Sequence, residues 1–127
     1  MKNIKILIIE DSENDRLIAN RILRGGGYRN IFMAETAEEG VNLAGSERFD
    51  LALVDIKLPG LDGIRTCVIL KERYKVRAVI MVTGLDDSCA KDLSKKYGAD
   101  DYIVKPIKIE EFNGKLEKIF KKEIDNN

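Results

Sequence analysis

Five short runs of apolar residues punctuate the chain: Ile4–Ile9, Asn30–Ala34, Leu51–Val54, Val79–Val82 and Tyr102–Val104. They recur at roughly the length of one strand-plus-helix unit, about twenty to thirty residues. The first, third and fourth are nearly unbroken in Ile, Leu and Val. A strand with no polar face must be covered on both sides, as in a parallel sheet packed between helices.

Segments with helical spacing fill the intervals. Thr36, Ala37, Glu38 and Glu39 read as a capping box opening a second helix, with Ala37, Val41 and Ala44 on its apolar face. Ile64, Cys67 and Val68 mark a third helix, Ala90, Leu93 and Tyr97 a fourth, and Ile109, Phe112, Leu116 and Ile119 a last one. After the first helix, Gly25-Gly26-Gly27 suits a left-handed C-terminal stop. Gly114, inside the last helix, runs against propensity by about 1 kcal/mol relative to Ala, and nothing in the sequence accounts for it. The strict βαβαβαβαβα alternation predicts one doubly wound α/β domain over residues 1–122, with a short polar tail at 123–127.

Composition narrows what such a domain can do. The 127 residues suit one domain, and an apolar fraction of 44% supports a packed core. Lys plus Arg and Asp plus Glu both number 22, and the basic pairs Lys95-Lys96 and Lys121-Lys122 are short, so nucleic acid is not an expected partner. Nothing approaches the ~20 apolar residues of a membrane span. After Lys2 and Lys5 the apolar run ends too soon, in acid, for a secretory leader, so a cytoplasmic location is expected. Cys67 and Cys89 form no CxxC pattern and fit reduced, buried thiols. Histidine is absent, which removes any imidazole base, histidine metal ligand or phosphohistidine within this chain.

In open parallel sheets, ligands gather beyond the carboxyl ends of the strands. Glu10 and Asp11 come after the first strand and Asp55 after the third, while the fourth ends in Thr83 and the fifth in Lys105-Pro106. Each has an ordinary reading when taken alone: Asp11 or Ser12 as a helix cap, Asp55 as a turn residue, Thr83 as a loop hydroxyl, Lys105 as a surface lysine. All five, however, fall at the same register relative to their own strands. Ionised carboxylates in close pairs repel by about 4 kcal/mol at an effective dielectric near 20. A hard divalent cation relieves that repulsion, and all-oxygen ligands favour Mg²⁺ or Mn²⁺ over zinc. Such a metal can align a carboxylate with an incoming phosphoryl group, while lysine and threonine stabilise its oxygens.

The stretch Asp55-Ile56-Lys57-Leu58-Pro59-Gly60-Leu61-Asp62-Gly63, together with Glu10-Asp11, Thr83-Gly84 and Asp101-Tyr102-Ile103-Val104-Lys105-Pro106, resembles the response-regulator receiver domains of two-component signalling. The resemblance runs from Lys5 to about Phe120. It implies a flavodoxin-like (βα)5 three-layer sandwich whose five-stranded parallel sheet has the order 2-1-3-4-5. It implies Asp55 as phospho-acceptor, with Lys105 and Thr83 assisting, and a Mg²⁺ site at Glu10, Asp11, Asp55 and the backbone carbonyl of Lys57. Thr83 and Tyr102 would form the switch pair, and the Lys105–Pro106 bond would be cis. The family role is a phospho-acceptor switch rather than an enzyme acting on other substrates, catalysing only its own Mg²⁺-dependent phosphorylation and dephosphorylation. The implied partners are a sensor histidine kinase or histidine phosphotransfer protein and a downstream protein target or output domain. Signalling would use the surface of the fourth helix, fifth strand and fifth helix, with a phosphorylation-dependent homodimer as a further option. Two departures stand out: Glu10 replaces the Asp often found first in the acidic pair, and Gly84 replaces a common Ala.

Rival readings fit less well. An FMN carrier would need amide and hydroxyl donors where this chain has Glu10-Asp11-Ser12-Glu13-Asn14-Asp15. A haloacid-dehalogenase-type phosphatase would need Asp-x-Asp after the first strand, and room for a cap. A degenerate receiver serving only as a scaffold is opposed by the full set of Glu10, Asp11, Asp55, Thr83 and Lys105.

Overall fold

A computed structural model describes residues 2–57, 62–84, 91–92 and 95–125, of which residues 122–125 are described by their backbone alone. The strands are β1 (Lys5–Ile9), β2 (Asn30–Ala34), β3 (Leu51–Asp55), β4 (Ala78–Thr83) and β5 (Asp101–Val104). Helices α1 (Glu13–Gly25), α2 (Ala37–Ser46) and α3 (Gly63–Glu72) connect the first four, and a C-terminal helix spans Ile109–Asp125. All strand pairs are parallel, in the order β2-β1-β3-β4-β5, which is the expected flavodoxin-like topology.

The unbroken apolar runs are buried on both faces, as their composition demands. Ile6, Ile8, Leu53 and Ile80 pack toward α1 (Ala19, Leu23) and the C-terminal helix (Phe112, Leu116). Their alternate neighbours Leu7, Ile9, Val54 and Met81 face α2 (Ala37, Ala44) and α3 (Cys67, Leu70). The period-two alternation of a strand thus divides one sequence run between two cores. β2 lies at the sheet edge and is half-exposed.

Helix starts follow the polar signals. Ser12 caps α1, its hydroxyl accepting from the Asp15 amide at 3.2 Å. Thr36 caps α2 through the Glu39 amide at 3.1 Å, while the Glu39 carboxylate accepts from the amide of Glu35, one residue before the cap. Of the three glycines after α1, Gly26 is right-handed at φ −83° and Gly27 supplies the left-handed turn at φ 97°. The C-terminal helix runs to Asp125, so its backbone continues into the residues expected as a tail. Tyr97, expected on an apolar helix face, lies in a turn and is exposed, immediately before Gly98, whose φ of 93° takes the chain out of helical geometry. Cys89, Ala90 and Leu93, and the motif residues Leu58, Pro59, Gly60 and Leu61, lie outside the described residues.

Candidate functional site

Parallel pairing sets the carboxyl ends of the strands side by side. Asp55 closes β3 opposite Val82, and Thr83 closes β4 opposite Val104. The Lys105 amide donates to the Thr83 carbonyl at 2.7 Å, tying the start of the next loop to the end of β4. The Lys105–Pro106 peptide is cis. Glu10 follows β1, its amide donating to the Ala34 carbonyl of β2 at 3.1 Å.

Glu10 and Asp55 are 5% and 7% exposed, a burial rare for acids unless they are paired or functional, and Thr83 beside them is 2% exposed. Asp11 is exposed, but one carboxylate oxygen from each of Glu10, Asp11 and Asp55 falls within 4.8 Å of the others. Opposite corners of a Mg²⁺ octahedron lie about 4.2 Å apart, so this trio fits such an ion with a small contraction. One Asp55 oxygen accepts from the Lys57 amide at 3.0 Å and the other faces the Lys105 ammonium at 3.4 Å.

Lys105 spans the cluster. Its Nζ lies 2.5 Å from Glu10, 2.9 Å from Asp15 and 3.4 Å from Asp55. Burial works against its charge, yet the hydrogen bonds to Glu10 and Asp15 and the field of Asp55 prevail, holding its pKa above the ordinary lysine value. Burial also pushes Glu10 up to about 7, against the pull of Lys105 and with help from the neighbouring Asp55 carboxylate. A cavity of about 250 Å³ at the cluster is lined by Glu10, Asp15, Asp55 and Lys105 on one side and by apolar residues such as Ile8, Leu53 and Val82 on the other.

The helix after β3 is pressed onto the site. Asp62 caps α3 through the Arg65 amide at 2.8 Å. Gly63 lies so close that a Cβ there would sit on the Asp55 carbonyl oxygen and 2.8 Å from the Ile56 Cα. The Asp-Gly of the sequence pattern is therefore a cap and a backbone contact, and it holds Asp55 from behind.

Tyr102 is half-buried, packed against the core shared with α2 and α3. Its strand partner is Met81, two residues before Thr83, so strand alternation puts Tyr102 and Thr83 on one face of the sheet. Lys91 and Lys115 hold their ammonium groups 5.8 and 5.3 Å from the Tyr102 ring centroid, and Lys115 also pairs with Asp101 at 3.0 Å.

The structure thus assembles Glu10, Asp11, Asp55, Thr83 and Lys105 at one rim, with Tyr102 on the flank. Two residues there were not singled out from sequence. Asp15 pairs with Lys105, and the Arg16 guanidinium donates to the carbonyls of Glu10 and Asp11 at 2.8 and 3.1 Å, fixing the loop that carries both acids. Helical geometry was the available signal, because the first turn of α1 starts at the rim and Asp15 is one turn beyond Asp11.

Known proteins resemble this chain in sequence and fold. The description "Response regulator receiver domain" matches residues 6–117. The chain is 33% identical over 120 residues to the alkaline phosphatase synthesis transcriptional regulatory protein PhoP of Bacillus subtilis, covering 94% of this chain and 50% of that protein. It is 37% identical over 105 residues to a cyclic di-GMP phosphodiesterase of Thermotoga maritima, covering 83% of this chain and 28% of that protein. The chain therefore spans half the length of the first relative and less of the second. The solved response regulator receiver domain protein (CheY-like) from Methanospirillum hungatei JF-1 superposes with a TM-score of 0.81 at 34% identity, covering 97% of this chain and 98% of that one. With a matching domain description, matching relatives and a matching fold, the chain belongs to the response regulator receiver domain family.

Proposed function

We propose that residues 1–122 act as a phosphorylation-activated receiver, with 123–127 a tail outside its function, and that Asp55 accepts a phosphoryl group from a sensor histidine kinase or histidine phosphotransfer protein. The observation that carries the reading is the position of Asp55: buried at the end of the central strand, with two acids beside it and one ammonium facing its carboxylate. Glu10, Asp11 and Asp55, helped by the Lys57 carbonyl, hold Mg²⁺; Mn²⁺, with the same hard-oxygen preference, would serve as well. When bound, the metal supplies charge neutralisation for the transferring group. The Asp55 oxygen then attacks phosphorus as the donor's phosphorus–nitrogen bond breaks, and Lys105 and Thr83 stabilise the phosphoryl oxygens. Water later cleaves the acyl phosphate at the same site. The chain catalyses these two steps on itself and acts on no other substrate.

The output is a population shift. Thr83 moves toward the phosphoryl group and Tyr102 turns further inward. Supporting this, the two share one sheet face, and the Tyr102 ring lies close to both Lys91 and Lys115. The surface around the predicted fourth helix, β5 and the C-terminal helix then meets a downstream protein or output domain. A phosphorylation-dependent homodimer through the same charged surface, which carries Lys91, Asp101 and Lys115, would also use it. Among the described residues no helix is long and apolar enough to cross a membrane; with the zero net charge, this supports a cytoplasmic protein that binds no nucleic acid itself.

The test is intact-mass measurement after incubation with Mg²⁺ and acetyl phosphate. Wild type should gain the mass of one phosphoryl group, and neither Asp55→Asn nor wild type pre-treated with a chelator should do so. An adduct that survives Asp55→Asn would move the acceptor elsewhere. Failure with both acetyl phosphate and the stable mimic beryllofluoride would leave an interaction scaffold.

A further inference from the structure

An ammonium group has three N–H donors. In Lys105 all three face carboxylates: Glu10 at 2.5 Å, Asp15 at 2.9 Å and Asp55 at 3.4 Å. Two of these belong to the acceptor cluster, where Glu10 is claimed by the metal and Asp55 by the phosphoryl group. Asp15 has neither duty. It sits on the first turn of α1, outside the trio of acids that converge, and its backbone is fixed there by the Ser12 cap. A phosphoryl oxygen that recruits Lys105 meets a competitor that the chemistry does not draw away.

We propose that Asp15 is a positioning residue for Lys105, and that it makes an arriving phosphoryl group compete for the lysine. The idea rests on the phospho-acceptor reading of Asp55. Asp15 holds the ammonium toward α1, so the phosphorylated state forms against a standing ion pair. Phosphoryl occupancy is thereby held below what the cluster itself would support. Nothing in the proposal requires the carboxylate to touch the phosphoryl group; it acts through the lysine.

The experiment is a beryllofluoride titration at saturating Mg²⁺, followed by 19F NMR of the bound species, on wild type, Asp15→Asn and Glu13→Gln. Glu13 lies on the same helical turn, exposed, and removes the same unit of charge. Asp15→Asn should bind the mimic about fivefold more tightly than wild type, the size of one partly exposed ion pair. Glu13→Gln should stay within about twofold, since its charge is screened by solvent. Asp15→Glu, which keeps a carboxylate within reach, should remain near wild type. Equal tightening in Asp15→Asn and Glu13→Gln would reduce the effect to the general field of the helix end and overturn the proposal. Unchanged or weaker binding by Asp15→Asn would overturn it as well. Wild type that binds no beryllofluoride would instead sink the phospho-acceptor reading, and this inference with it.

Discussion

Glu10 sets the pH behaviour of the site. Burial lifts it from 4.5 to about 7, so below neutrality the metal-free protein holds a proton that the unfolded chain would release near 4.5. The sign is fixed by linkage: this group's contribution to stability is present below the unfolded value and lost as pH rises through the folded one. Metal binding needs the ionised form, so the two equilibria oppose each other across the same window. Apparent Mg²⁺ affinity should climb by up to about tenfold per pH unit below neutrality and level off above it. At pH 6, calorimetry in two buffers of different ionisation enthalpy should register close to one proton released per metal bound. Glu10→Gln should bind Mg²⁺ more weakly and release none. An affinity flat from pH 5.5 to 7.5 would refute the assignment.

Two glycines test how the helices serve the site. At Gly63 a Cβ would meet the Asp55 carbonyl and the Ile56 backbone, whereas at Gly114 nothing lies within 4 Å. Gly63→Ala must displace either α3 or the acceptor strand and should cost about 2–3 kcal/mol. Gly114→Ala fills open space on an exposed helix position and should stabilise by about 1 kcal/mol. Urea denaturation of the two variants should move in opposite directions; a Gly63→Ala as stable as wild type would mean the helix does not bear on Asp55. These elements were largely legible beforehand. Unbroken runs such as Leu51–Val54 identified buried strands, and β4 ends in Thr83 as expected, although Asp55 turned out to be the last residue of β3 rather than the residue after it. Polarity had argued for a turn at Asp55, and burial at the rim overrode it. The Thr36 cap was readable because its signal is local. The pairing of Asp15 with Lys105 spans ninety residues of sequence, and no local pattern carries it.

For the whole molecule, a ligand that binds only the folded state stabilises it by mass action, by about 2.7 kcal/mol at a hundred times Kd. With a chain of 127 residues, that corresponds to roughly 10 °C in Tm. Mg²⁺ with beryllofluoride should therefore raise the melting temperature of wild type by about that much and leave Asp55→Asn near its unliganded value. A rise of equal size in Asp55→Asn would place the binding elsewhere. The strand that carries Asp55 gives this chemistry a mechanical character. β3 has a paired strand on each side, and all five of its residues are buried. β5 is four residues long, pairs on one side and is half-exposed. On the proposed reading, Asp55 would be a fulcrum and the β4–β5 margin a lever arm. How far phosphorylation is felt at the surface would then depend on how compliant that arm is. Because Thr83 ends β4 and Lys105 follows β5 directly, stiffening or loosening the margin would retune the output and the reaction together.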